Sequence, residues 1–101
     1  MHPKRIPTYD LTEIRRQISA GRFVITRPAR DGARLLGLDE LDVLACVGAL
    51  TRADFYKSMP ALNLPGTWQD VYRPTYLGQA LYVKLQQRVE GFAVVISFKE
   101  L

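Results

Sequence analysis

The hydrophobic period of this chain changes near its middle, and that change restricts the fold more than any other feature. Before residue 50 the apolar side chains recur at helical spacing, and beyond Asp54 they alternate. Asp10 is placed to cap a helix, with Glu13 positioned to return a bond to the cap. Leu11, Ile14 and Ile18 mark its buried face, and Gly21 is its left-handed stop. Arg22 to Arg27 reads as a short strand closed by Pro28. Residues 31–37 read as a helical turn or two ending at Gly37. Asp39 or Glu40 then opens a long helix through Leu41, Leu44, Ala45 and Val47 to Leu50, with Cys46 a small core residue inside it. In the second half, 54–59 is a strand, Pro60 to Gly66 a loop, and Trp68 to Arg73 a strand stopped by Pro74. Segments 79–88 and 92–99 are longer strands around Glu90-Gly91. Helices followed by a meander of strands predict an α+β fold: an antiparallel sheet packed on one face by amino-terminal helices.

The last hairpin has a testable register. With Glu90-Gly91 as a two-residue turn, Val83 faces Phe98 and Leu85 faces Ile96, which makes one apolar side. On the other side Tyr82 faces Lys99 and Lys84 faces Ser97. A slip of one residue would scatter the apolar set over both faces, so the pattern holds the register.

The 101 residues predict one domain spanning 1–101. Cys46 is the only cysteine and His2 the only histidine, so neither a disulfide nor a Cys/His zinc site can be built. His2, near the start, is expected on a frayed terminus. No apolar run approaches the ~20 residues of a membrane span, and no signal peptide is visible, so a reducing, cytoplasmic setting is expected. The net charge is +4, with ten Arg among the fourteen basic residues, and residues 1–30 hold seven basic against two acidic side chains. Arginine presents a planar fork that suits phosphate and stacks on bases.

Exclusion narrows the chemistry. There is no Walker-type glycine loop, no Gly-x-Ser-x-Gly and no HExxH, and the acidic residues do not cluster at metal-ligand spacing. What remains is a set of polar and aromatic side chains on successive strands: Tyr56, Lys57, Gln69, Tyr72, Arg73, Tyr82, Lys84 and Lys99. Taken singly, such residues are usually solvated strand positions; Tyr56 and Tyr72 also suit packing with a wet hydroxyl, and Trp68 suits a core better than a base stack. Taken together, they suit RNA cleavage without a metal, by attack of the 2′-hydroxyl on the adjacent phosphorus. That reaction needs a base, an acid, and positive charge for a phosphorane-like transition state. Lysines held close together depress each other's proton affinity, and aromatic and arginine groups hold single strands. A non-catalytic RNA-binding module and a protein-interaction domain on the same sheet remain open readings.

The blocks Asp54-Phe-Tyr-Lys-Ser-Met59, Trp68-Gln-Asp-Val-Tyr-Arg-Pro74, Tyr82-Val-Lys84 and Ile96-Ser-Phe-Lys-Glu100 resemble the motility quorum-sensing regulator (MqsR) family of bacterial toxins over almost the whole chain. That resemblance implies a RelE-like fold and a sequence-preferring mRNA interferase from a type II toxin–antitoxin pair. It also implies cleavage that favours GCU in single-stranded mRNA, with no cofactor. The implied partner is a cognate antitoxin with a zinc-binding, toxin-facing domain and a helix-turn-helix domain. Carried over residue by residue, the catalytic positions fall on Lys57, Gln69, Tyr82 and Lys99. Tyr56, Met59, Arg73 and Lys84 fall at RNA-contacting positions. One departure is the apolar, proline-rich loop from Pro60 to Gly66, where a more polar segment is expected.

Overall fold

A computed structural model describes residues 2–101. Three helices, α1 (Leu11–Ser19), α2 (Arg27–Leu35) and α3 (Glu40–Gly48), accompany six strands: β1 (Phe23–Ile25), β2 (Phe55–Pro60), β3 (Trp68–Tyr72), β4 (Thr75–Tyr76), β5 (Gln79–Arg88) and β6 (Phe92–Glu100). The main sheet runs β1-β6-β5-β3-β2, with β4 paired to β5. Its neighbours are antiparallel except at one edge. There β1 runs parallel to β6, so the sheet is mixed rather than purely antiparallel. All three helices contribute to one buried cluster with Tyr72, Leu81, Val83, Leu85, Ala93, Val95 and Phe98 of the sheet. The opposite sheet face carries no helix among the described residues.

The helix ends follow local chemistry. Asp10 accepts from the Thr12 N–H at 2.8 Å and caps α1, but Glu13 pairs with Arg16 instead of closing a capping box. In α3 the box does form: Asp39 and Asp42 each accept the other's backbone N–H. Cys46 is buried there, and burial followed by the charge of Asp54 pushes its thiol up to about 11. Pro28 does not close a strand; it sits in the first turn of α2, where its missing N–H has no intrahelical partner to lose. Thr26 caps that turn. The helix begins well before residue 31 because its buried face is Ala29 and Ala33, too small to signal a stripe.

The β5–β6 hairpin corrects the expected turn. Arg88 pairs with Phe92, so the loop is Val89-Glu90-Gly91, and Gly91 holds a left-handed φ of 87°. A three-residue loop of this kind takes glycine at its left-handed position. The one-residue offset is removed further along, where Leu85 pairs with Val95 but Lys84 pairs with Ser97. Ile96 is the extra residue of a β-bulge and only half-buried; Val95 takes its expected place in the core. Beyond the bulge Val83 faces Phe98 and Tyr82 faces Lys99, as the pattern predicts.

The amino-terminal segment is pinned rather than frayed from Lys4 onward. Lys4 and Ser58 exchange both backbone hydrogen bonds, at 2.7 and 2.9 Å, along the outer edge of β2. The fully buried carboxylate of Asp70 accepts the N–H groups of Thr8 and Tyr9 at 2.9–3.0 Å. Trp68 is half-buried, not core: the Lys4 ammonium lies 4.1 Å from its ring, and its carbonyl accepts the Tyr9 hydroxyl.

Candidate functional site on the open sheet face

Strand pairing assembles the polar face in rows. Lys57 stands opposite Val71, Val71 opposite Lys84, and Lys84 opposite Ser97. One row over, Met59 stands opposite Gln69, whose amide donates to Gln86 on β5 at 3.2 Å. On the other side Tyr82 stands opposite Lys99, with Arg73 following Tyr72 beside them. All eight side chains anticipated for chemistry or RNA contact thus share one face: Lys57, Gln69, Tyr82 and Lys99, with Tyr56, Met59, Arg73 and Lys84. Tyr72, the remaining member of the polar set, does not join them. It is buried on the helix side, edge-on to Phe55 at 5.5 Å, and burial and then Asp70 push its hydroxyl up to about 12.

Two bulges produce this sharing. Side chains alternate along a strand, so Phe55 on the helix side would place Lys57 there too. The pairing shifts between Phe55 and Lys57, and the extra residue, Tyr56, turns Lys57 to the open face. The bulge at Ile96 does the same for Ser97 and Lys99 against Val95. Bulges beside functional sites re-aim side chains in this way.

The side chains interlock around two tyrosines. The Arg73 guanidinium lies 3.8 Å from the Tyr56 ring centre, and the Lys57 ammonium 5.3 Å from it. Lys99 and Lys84 lie 5.1 and 5.9 Å from the Tyr82 ring centre. Diagonal neighbours on paired strands are about 7–8 Å apart, which makes Lys84 and Lys99 mutually repulsive. Desolvation, then Lys99, then Lys57 lower the proton affinity of Lys84 below the ordinary lysine range. Burial, then Tyr56, move Tyr82 the opposite way. Neighbouring groups whose proton affinities are pushed apart are suited to serve as base and acid.

Charge on this face is uncompensated. The four ion pairs among the described residues all belong to the helical layer: Arg16–Glu13, Arg27–Asp31, Arg30–Glu40 and Arg34–Asp31. None involves Lys57, Arg73, Lys84 or Lys99, and the rows just described contain no carboxylate. An array of cations and aromatic rings without acids suits an anionic, base-bearing chain. Beside it lies a depression of about 310 Å³ bounded by Met59, Gln69, Lys84 and the loop from Pro60 to Leu64. That loop keeps its apolar character at the surface, with Leu62 95% exposed.

Sequence reading passed over Asp70 and the segment it anchors. The signal is present: Asp70 shares strand parity with core-facing Tyr72, and an acid at such a position needs donors.

The family model described as "Motility quorum-sensing regulator, toxin of MqsA" matches residues 6–100. The chain is also similar to the protein named mRNA interferase toxin MqsR of Escherichia coli (strain K12), at 36% identity over 97 residues, 96% of this chain and 97% of that one.

Proposed function

The chain belongs to the MqsR toxin family, and from that membership and the open sheet face we propose how it works: as an mRNA-cleaving toxin whose lysine and tyrosine side chains move the protons. One observation carries this reading. Lys57, Gln69, Tyr82, Lys84 and Lys99 share one face with no carboxylate in its rows. General acid and base must then come from lysine and tyrosine.

Lys84, with its lowered proton affinity, is suited to take the 2′-hydroxyl proton. The freed oxygen attacks the adjacent phosphorus and the 5′-oxygen leaves with a proton from Tyr82, which holds its own tightly. Lys57 and Lys99 supply positive charge to the phosphorane-like transition state. Gln69 does not titrate and is held by Gln86, so its amide positions the phosphate. Tyr56, Met59 and Arg73 hold the flanking nucleotides. The products are a 2′,3′-cyclic phosphate and a 5′-hydroxyl, and no cofactor takes part. A GCU preference follows from the family resemblance, with the apolar wall of Leu62 and Leu64 the feature that would modify it.

The whole of residues 1–101 acts as one toxin domain, and its antitoxin carries a zinc-binding, toxin-facing domain and a helix-turn-helix domain. No helix of the described residues is long and apolar enough to cross a membrane. A net charge of +4 favours an acidic partner surface, with association faster at low salt and at least ~1,200 Å² buried in the complex.

Incubation of the purified protein with a GCU-containing RNA in excess chelator tests the reading, with the product ends identified chemically. Cyclic-phosphate and 5′-hydroxyl ends are expected. Cleavage only on adding magnesium, or binding without cutting, would overturn the mechanism.

A further inference from the structure

The cationic face does not stop at β2. Pro3 and Arg5, from the pinned amino-terminal arm, line a cleft of about 270 Å³ together with Tyr56 and Lys57. Arg5 is exposed and takes part in none of the four ion pairs among the described residues. The backbone of its arm is held at three points. The Lys4–Ser58 backbone pair holds the preceding residue to β2. The Arg52 guanidinium donates to the Arg5 carbonyl at 3.2 Å, so even the backbone acceptor beside the cleft is occupied by a cation. Asp70 clamps Thr8 and Tyr9 further along. An arm whose backbone is held this closely, with the exposed Arg5 lining the cleft beside Tyr56, presents a cation to an anion at low ordering cost.

We propose that Arg5, with Pro3 against Tyr56 and Lys57, forms a phosphate subsite that extends the cleavage site around the outer edge of β2 and holds an RNA phosphate flanking the one that is cut. This rests on the RNA-cleavage reading above. Arg5 is a positioning residue in it: its contact is made equally in the bound substrate and in the transition state, so it lowers KM and leaves kcat alone. Asp70 acts one step further back, as the latch that sets where Arg5 stands.

The test uses the full chain and a labelled oligoribonucleotide whose cut site is first mapped with the parent protein. Arg5→Ala is expected to raise KM, and the Kd of an uncleavable copy with a 2′-deoxy residue at the cut, about tenfold at low salt, because a charge-assisted contact of this type is lost. The slope of log Kd against log salt is expected to fall by about 0.7, the value for one phosphate on a single strand. Arg5→Lys should recover much of the binding. Oligonucleotides shortened stepwise from each end give a second readout. For the parent one shortening step raises KM sharply, and in Arg5→Ala that step disappears. Unchanged Kd and salt slope in Arg5→Ala, with the parent cutting normally, would overturn the subsite. Failure of the parent to cut RNA at all would instead overturn the cleavage reading. A kcat loss at constant KM in Arg5→Ala would place Arg5 in the chemistry and overturn its positioning role.

Discussion

Gly32 lies where α2 crosses β6, and replacing it with alanine should damage both the fold and the site behind it. A Cβ at this position would fall on the carbonyl oxygen of Phe98, well inside the 3.0 Å that such contacts respect, with the carbonyl carbon at 3.1 Å and the Lys99 Cβ at 3.4 Å. The obstacle is main chain, so no rotamer change relieves it, and α2 and β6 must separate. Helix propensity alone favours alanine by about 1 kcal/mol. Overpacking costs about 1–3 kcal/mol, with the upper part of that range expected where backbone is struck. A net loss near 2 kcal/mol in a domain of this size lowers Tm by roughly 8–16 °C. Gly48→Ala is the matched control. It adds the same methyl to the last residue of α3, where nothing lies within 4 Å, and should raise stability by a few tenths to about 1 kcal/mol. Thermal unfolding followed by circular dichroism gives both values. Because the struck carbonyl immediately precedes Lys99, Gly32→Ala should also cleave RNA more slowly at temperatures where it remains folded. A variant that melts at or above the parent temperature would refute the close approach of α2 to β6.

Tyr82→Phe and Lys84→Ala, which remove the acid and the base, should each lower the cleavage rate by about 10²–10⁴-fold, and Lys57→Ala and Lys99→Ala, which remove transition-state charge, by about 10²–10³-fold, all with little loss of folding; parental rates in all four would place the active site elsewhere. Gln69→Ala should lower the rate without moving the pH optimum, because an amide does not titrate. Lys84 should titrate below 10.5 by NMR, and its midpoint should rise in Lys99→Met, where one repelling charge is gone. The unfolded chain binds more protons than the folded one between that lowered midpoint and 10.5, so stability should rise with pH across this window, and Lys84→Met should flatten the rise in denaturant titrations. Phe98→Ala should cost about 3–5 kcal/mol by cavity formation, whereas Ile96→Ala, on the half-buried bulge, should cost clearly less. Leu77 holds a φ of 49° in the β4–β5 turn while 72% exposed, so Leu77→Gly should stabilise by a fraction of the ~1–2 kcal/mol that left-handed backbone costs an ordinary residue.

Elements whose signal is periodic and large were legible in the sequence. Leu11, Ile14 and Ile18 on α1, and Val83, Leu85 and Phe98 of the last hairpin, announce themselves by volume at regular spacing, and all belong to or pack on the observed core. α2 was legible only in its last turns because its contact face is Ala29, Gly32 and Ala33. Those residues are small because β6 comes so close, and small residues carry no hydrophobic stripe. The parallel pairing of β1 with β6 was invisible for a different reason. Three residues, of which only Ile25 is fully buried, do not state which neighbour they join or in which direction. The amino-terminal arm was hidden because its anchors are backbone N–H groups on Asp70, and backbone donors have no letter in the sequence.

The candidate site depends on features a strict alternation would have forbidden. Read with period 2 from Phe55, Lys57 belongs to the helix side, and read from Val95, so does Ser97, with Lys99 following it. Either strand without its bulge would bury a lysine against Tyr72 or Phe98 and dissolve the cation array. The hairpin register was nevertheless right at Tyr82 and Lys99, because two one-residue departures cancel. The loop is one residue longer than a tight turn, and Ile96 is one residue extra on β6. That cancellation is not a coincidence of counting. The apolar sets on β5 and β6 must face the helices at both ends of the hairpin, so an added loop residue has to be absorbed before Phe98 or the core is lost. Core packing thus fixes where the bulge falls to within a few residues, and the bulge in turn decides that Lys99 rather than its neighbour meets Tyr82. Deleting Ile96 is the sharpest probe of that logic. It removes the extra residue, so Ser97 should still pair with Lys84, Phe98 should keep the helix side and Lys99 should still meet Tyr82, with the strand straightened and cleavage retained. A folded Ile96 deletion variant with Phe98 exposed to solvent, or with cleavage lost, would show that core packing does not set the Tyr82–Lys99 register.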